Sequence, residues 1–287
     1  MLGNCWVILE ERWPEYKKPT RQPYMEIAYR SFGNTGKNII FASVTLTLMG
    51  SSIVYIILIA EFMNSLVPSL SICAFTTIAA IVFVPFTWLG TPKDFWLAPV
   101  IAVLATTITC IVLFIQLIVD IDTSYLPKEP LHTNPTFTTF SMGFGTIMAA
   151  FGGASIFPTI QNDMKERTQF WKSVILAFIE EQKSSLAIKI AIGFEIVHLL
   201  GAFLILLNPV CQIFEETLKV SPNFGIGRVL VRTSLVAFEL IIALGIPNFN
   251  LILGLIGGST ITLCSFIAPS SMYMKLVNDQ SNPQWPQ

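Results

Sequence analysis

The chain has 287 residues, of which 53% are hydrophobic and only 12% charged, and its formal net charge is −1. This apolar fraction is too high, and this charge too low, for an ordinary soluble domain. The composition therefore indicates an integral membrane protein.

The first 37 residues precede any window long enough to span a bilayer. They begin with a short apolar run that passes directly into charge, and they lack the basic start, long apolar centre and cleavage site of a signal peptide. The pattern is typical of the cytoplasmic end of a helix whose beginning is absent. Within this segment, Tyr24 to Phe32 is predicted to form an amphipathic helix that covers the bundle at the cytoplasmic face.

Seven later windows are long and apolar enough to predict membrane-spanning helices, because about 20 mostly apolar residues cross the hydrocarbon core of a bilayer. They are Asn38–Ala60, Leu70–Gly90, Leu97–Val119, Thr138–Ile160, Leu186–Asn208, Val229–Ile246 and Leu251–Leu276.

The fourth window is interrupted by FGGASIFPTIQNDMK, residues 151–165. Backbone that is not helical at membrane depth must be buried in protein or line a watery cavity, and secondary transporters bind substrates at such breaks. This pattern predicts a substrate site at the backbone of Gly152, Gly153, Ala154 and Ser155. The alternative is that the glycines only allow close helix packing. Gly257, Gly258 and Ser259 in the last window are interpreted either as a second local distortion or as small residues that serve helix packing.

Basic residues predict which loops face the cytoplasm, where Lys and Arg are in excess. They place the N-terminus in the cytoplasm and return Lys165, Arg167 and Lys172 to that side. The next basic loop contains Lys219. It lies in the cytoplasm only if the chain crosses the membrane once more before it. Residues 173–185, whose apolar run is too short to cross, are therefore interpreted as the remnant of a spanning helix. An interfacial hairpin is the alternative.

Ionisable residues inside the spans mark functional sites by default, because they are costly in a bilayer. Glu195 and His198 are three residues apart and share a helix face, and His198 is either a site residue or a packed histidine satisfied by a neighbouring helix. Glu239 is interpreted as a buried protonated carboxyl or a lateral contact with another subunit. Arg228 and Arg232 are interpreted as topology anchors.

The five cysteines show no metal-ligand spacing and are predicted to be small core residues rather than disulfide partners. They are Cys5, Cys73, Cys110, Cys211 and Cys264.

Several stretches carry a family resemblance: FGGASIFPTIQNDMK, LLNPVCQIFEE, FGIGRVLVRTS and IPNFNLILGLIGGSTITL. Together they are similar to the amino acid/auxin permease family, and the N-terminal CWVILEERWPEYKKPTRQPYMEIAYRSFG resembles the loop after helix two in its animal proton-coupled and vesicular branches. The resemblance implies an all-α leucine-transporter-type fold of two inverted five-helix repeats plus one helix. It also implies transport of small amino acids with protons or sodium.

The departures from that family are equally specific. By this resemblance the chain lacks helix one, nearly all of helix two, most of helix seven and helix eleven. Helix one crosses helix six at the family's substrate site, so half of that site is not encoded. Ala154 stands where this branch often has His, and Leu244 where it often has Glu, which removes two groups able to exchange protons. Poor or absent transport is therefore expected.

Nothing in the sequence supports an enzyme, since no nucleophile, base and orienting group can be placed together. The N-terminal basic residues are too sparse and too mixed with Glu for nucleic-acid binding. Two function classes remain: an amino acid permease with no cofactor beyond a coupling proton or sodium, or a non-transporting assembly partner of full-length relatives. The plasma, vesicular and lysosomal membranes all remain open.

The predicted organisation has three parts. Residues 1–37 form a cytoplasmic segment, residues 38–276 an incomplete transporter domain of about seven spans, and residues 277–287 a short tail.

Overall fold

The computed structural model describes residues 1–17, 22–89, 97–122, 136–150, 186–221 and 224–278. The regular secondary structure in these ranges is helical, which confirms the predicted class. The α-helices are α1 (Leu2–Arg12), α2 (Pro23–Leu66), α3 (Ile72–Thr87), α4 (Leu97–Asp122), α5 (Phe137–Ala150), α6 (Leu186–Thr217), α7 (Ile226–Gly245), α8 (Phe249–Ile256) and α9 (Ala268–Asn278). A 3₁₀ turn covers Pro14–Lys17, and π-helical segments cover Gly257–Ile261 and Leu263–Ile267.

Each of the seven predicted spans overlaps one of these helical stretches. Within the described ranges, three stretches are long and apolar enough to cross a membrane, namely Pro23–Leu66, Lys189–Thr217 and Phe249–Asn278. Ile72–Thr87 and Val100–Val112 are shorter apolar helices. The described helices thus support a membrane protein, and the larger number of crossings stays a prediction.

Gly33 divides α2 into two parts. Its backbone angles, φ 68° and ψ −160°, lie outside the helical region, and glycine adopts positive φ without the steric penalty that a side chain imposes. The part before Gly33 buries Tyr24 and Ile27 while Phe32 is exposed. This part corresponds to the predicted amphipathic helix, and the long apolar stretch begins after the kink.

Among the described residues, one compact unit contains those between Met1 and Thr47, α5, and Leu253 to Asn278. In this unit α1 packs along α9, and Arg12 Nη2 donates to the carbonyl oxygen of Leu276 at 3.0 Å. The hydroxyl of Tyr24 donates to the carbonyl oxygen of Cys264 at 2.5 Å. Trp6 is fully buried. The N-terminal segment is therefore folded onto the last helices rather than extended from them.

A second compact unit contains the described residues between Leu48 and Asp122 and between Leu186 and Ile252. Its described helices pack in two main contacts, α4 against α6 and α3 against α7. Phe83 of α3 stacks on Phe203 of α6, with ring centroids 3.8 Å apart. This unit contains the ionisable residues that the sequence places inside spans.

The cysteines follow the predicted pattern in part. Cys5, Cys211 and Cys264 are buried, Cys73 is exposed, and all five are free thiols.

Candidate functional site

Four of the five predicted site residues, Gly152 to Ser155, lie outside the described residues, as does the predicted helix remnant at 173–185. Their role stays a prediction. The structure does describe α5, which leads toward them, and His198.

The backbone of α5 contacts the backbone at the start of the π-helical region. A Cβ added at Gly257 would collide with the carbonyl oxygen of Gly145 and would lie 3.2 Å from the Cβ of Ala149. A Cβ at Gly145 would in turn collide with the backbone of Gly254. Glycine is required at this crossing because only a missing side chain lets two helix backbones touch. Gly257 therefore serves both the distortion and the packing contact that the sequence left as alternatives.

Hydroxyl groups hold the π-helical region in place. Thr47 Oγ1 of α2 donates a hydrogen bond to Thr260 Oγ1 at 2.8 Å, and Thr262 Oγ1 donates to the carbonyl oxygen of Gly257 at 2.7 Å. A π-turn shifts the register of the backbone hydrogen bonds, and such turns are frequent at functional sites. The last long helix is thus irregular where it meets α5.

His198 of α6 is hydrogen-bonded to α4. Its Nδ1 lies 2.6 Å from Thr106 Oγ1 and 3.3 Å from the carbonyl oxygen of Ala102. The carbonyl can only accept, and the hydroxyl of Thr106 already donates to that carbonyl at 3.0 Å. Nδ1 is therefore the donor to Thr106. This geometry matches the expected packed histidine that a neighbouring helix satisfies.

Arg232 of α7 is the centre of a buried cluster and is only 1% exposed. Its Nε donates to Glu215 Oε1 at 2.5 Å, and its Nη2 donates to Glu215 Oε2 at 3.3 Å. Its Nη1 donates to Asn208 Oδ1 at 3.0 Å and to the carbonyl oxygens of Thr87 and Leu89 at 2.6 and 2.7 Å. The guanidinium thus pairs with a carboxylate and also satisfies two carbonyls at the end of α3, which a helix leaves without backbone partners.

Arg228 joins the same cluster, because its Nε lies 3.5 Å from Glu215 Oε1. Both arginines are buried; Arg232 bonds to α3 and α6 and Arg228 pairs with α6, a structural role that their interpretation as topology anchors did not include. A cavity of about 10 Å³ lies beside the cluster, against Leu204, Leu207 and Cys211. That volume holds about one water molecule.

Glu239 lies further along α7 and is fully buried. Its Oε1 is hydrogen-bonded to Ser52 Oγ of α2. This burial inside the chain's own helices agrees with the expected buried carboxyl and argues against a lateral contact with another subunit.

Sequence reasoning missed the partners of these groups: Ser52, Thr87, Thr106, Asn208 and Glu215. Glu215 carried a signal, because an Arg in an apolar helix favours a buried acid as partner and Glu215 lies about two helical turns after the end of a predicted span. The hydroxyl and amide partners carried none, since such residues are common in helices that contact only lipid or backbone.

Comparison with known proteins gives one family. A profile described as "Transmembrane amino acid transporter protein" matches residues 1–181 and 178–286. The two matched segments meet inside the predicted helix remnant.

Curated relatives carry matching names. Amino acid transporter AVT1B of Arabidopsis thaliana is 26% identical over 306 residues, covering 92% of this chain and 55% of the relative. Amino acid transporter AVT1D from the same plant is 25% identical over 335 residues, covering 98% of this chain and 58% of the relative. The chain therefore spans about half the length of the curated relatives it matches. No solved structure matches the chain.

Proposed function

Because the chain belongs to the transmembrane amino acid transporter family, we propose that it moves small neutral amino acids across a membrane by secondary transport, coupled to protons or sodium. The observation that carries the proposal is the family match, which extends over nearly the whole chain. The relatives AVT1B and AVT1D are named as amino acid transporters.

The irregular last helix supports the same proposal. Transporters bind substrates and ions where a helix is discontinuous inside a protein-lined space. Here the π-helical segment starting at Gly257 packs its backbone directly against the backbone of α5 at Gly145. In the proposed arrangement α5 continues into the substrate-binding backbone of Gly152 to Ser155, and the helices form part of two inverted repeats with a cytoplasmic N-terminus.

His198 is the second proposed contact to substrate. Its Nδ1 is committed to Thr106, so a ligand would meet the other ring nitrogen, Nε2. The assignment to the proton-coupled and vesicular branches stays a prediction, and the relatives reported above are plant proteins.

Uptake by the purified chain in liposomes tests the proposal. A pH or sodium gradient is imposed across the vesicle membrane, and the entry of labelled alanine, glycine or proline is followed. Saturable uptake that needs the gradient, and that falls at least tenfold in Gly153→Val, would support transport by this chain and contradict the expected impairment. Gly143→Ala is the matched control, because a Cβ at that glycine has open space around it.

A binding measurement accompanies uptake. An amino acid present at 100 times its Kd stabilises a folded protein by about 2.7 kcal/mol, which raises the unfolding temperature. Absence of both uptake and stabilisation contradicts the proposal. Stabilisation without uptake favours the non-transporting assembly role, and the same measurement tests the expectation of impaired transport.

A further inference from the structure

A carboxyl and a hydroxyl face each other inside the second unit. Glu239 and Ser52 are each 0% exposed. Ser52 Oγ is hydrogen-bonded to Glu239 Oε1, while Glu239 Oε2 is buried and has no hydrogen-bond partner among the residues that the structure describes. A buried ionised carboxylate needs several donors or a cation, since burial removes its water. Among the described residues, the hydroxyl of Ser52 is the one hydrogen-bond partner of the Glu239 carboxyl.

The number of hydrogen atoms available at Ser52 indicates the protonation state of Glu239. Its Oγ lies within hydrogen-bond distance of two acceptors, Glu239 Oε1 and the carbonyl oxygen of Met49, the latter at 2.8 Å. A serine hydroxyl carries a single hydrogen and accepts through its lone pairs. Both contacts are hydrogen bonds only if a second hydrogen is present. A protonated Glu239 supplies it by donating to Ser52, which then donates to Met49.

The surrounding charges do not provide a cation for Glu239. Arg232, about two turns earlier on α7, is bound by Glu215, Asn208 and two carbonyl oxygens. Cys211 of α6 lies within electrostatic reach of Glu239, Arg232 and Glu215. The packed helix α3 carries Cys73 as its only titratable side chain. The groups named here leave Glu239 without an opposite charge of its own.

We propose that Glu239 and Ser52 form a proton-binding site: the carboxylate takes up one proton, becomes a neutral acid, and donates that hydrogen to Ser52 Oγ. Release restores the carboxylate and returns the proton to water, with no other group changed. In the proposed transport function this site binds a coupling proton. That role rests on the proposed function, whereas the site itself does not.

Infrared spectroscopy of the whole chain in lipid nanodiscs tests the site without any transport. A protonated carboxylic acid has a C=O stretching band that a carboxylate lacks, and exchange into D₂O lowers its frequency. We expect the band at pH 7 in the unaltered protein, its loss in Glu239→Gln, and its retention in Glu216→Gln, a control carboxyl that is exposed. Ser52→Ala keeps the acid but removes its acceptor, so the band should shift to higher frequency.

Two results overturn the inference. Spectra of the unaltered protein and Glu239→Gln that differ only in carboxylate bands at pH 7 would mean that Glu239 is ionised. A C=O band that does not shift after a day in D₂O would mean that the proton is trapped and that the pair is not a working site. If Glu239→Gln fails to fold, the frequency shift of the C=O band in Ser52→Ala decides instead whether the protonated acid is Glu239. Absent uptake with an exchangeable band would contradict the proposed function and leave the site intact.

Discussion

Replacing Arg232 by methionine should unfold the junction of α3, α6 and α7. The substitution keeps a long apolar side chain of similar shape but removes every donor of the guanidinium. Glu215 loses its bidentate partner, at 2.5 and 3.3 Å, and keeps only Arg228, at 3.5 Å. The carbonyl oxygens of Thr87 and Leu89 lose donors at 2.6 and 2.7 Å.

The expected cost follows from burial. Removing one partner of a buried ion pair costs about 3–5 kcal/mol, because the other charge is left unpaired. Arg232 is 1% exposed and Glu215 is 6% exposed, so solvent screening hardly reduces this figure. We expect Arg232→Met to lower the free energy of unfolding by about 4 kcal/mol. Arg232→Lys retains the charge but not the planar fork, and should cost about half as much.

Reversible unfolding in mixed micelles, followed by tryptophan fluorescence, measures this change. Arg228→Met is the matched control, because it removes a second buried arginine of α7 whose contact with Glu215 is longer. The double variant with Glu215→Leu should be less destabilised than the sum of the two single variants, since both members of the Arg232–Glu215 pair are then absent and only the longer contact of Arg228 with Glu215 is lost in addition. An unfolding free energy of Arg232→Met within about 0.5 kcal/mol of the unaltered chain would refute the reasoning, because that is the range of ordinary surface substitutions.

Other contacts give further expectations. Gly257→Val should destabilise the first unit by about 1–3 kcal/mol, because its side chain would overlap the backbone of α5; thermal unfolding measures this. Burial raises the pKa of the Cys5 thiol from 9.0 to about 12, so a maleimide at pH 8 should modify exposed Cys73 and leave Cys5 intact, as measured by peptide mass spectrometry. Thr106→Val should cost about 0.6 kcal/mol, the average for hydrogen bonds between membrane helices, and the loss of the bond should appear in the His198 ring nitrogen shifts.

Each of these has a result that would contradict it. Gly143→Ala should leave stability unchanged, and an equal loss in both glycine variants would show that the backbone contact is not the cause. Equal labelling of Cys5 and Cys73 at pH 8 would mean that α1 does not stay packed. The folded-state pKa of Cys5 lies above its unfolded value, so its contribution to stability is complete below pH 9.0 and falls as the pH rises toward 12. An unchanged His198 spectrum in Thr106→Val would remove the assigned bond.

The sequence predicted the helical class, the approximate positions of the long helices and a surface helix before the first span. These follow from apolar windows and amphipathic patterning, which are local signals, whereas the kink at Gly33 was not predicted. The buried junction did not follow, because Arg232 meets Glu215 on one helix and Thr87 on another, and pairing between distant helices depends on packing geometry. The interpretation of Arg232 as a topology anchor rests on the distribution of basic residues between loops, which carries no information about its partners.

From the sequence, only the types of residue in the candidate site could be predicted, and not which of them are in contact. Glu239 was recognised as a costly carboxyl in an apolar helix, but Ser52 was not recognised as its partner, since a serine in a span also bonds its own backbone. The dual role of Gly257 could not be predicted either, because it depends on the contact between Gly257 and α5. Gly152 to Ser155 rest on sequence alone.

The packing of α1 along α9 has a consequence for biosynthesis. The side chains of Cys5, Trp6 and Leu9 are fully buried, yet the helix that covers them is translated last among the described elements. The unit between Leu48 and Ile252 can assemble while the ribosome is still at work. Helix α1 must wait, with its apolar face shielded by lipid or a chaperone, until Ala268–Asn278 has emerged. A stalled or interrupted translation product would therefore expose its N-terminal helix, and that helix would be the part by which quality control recognises it.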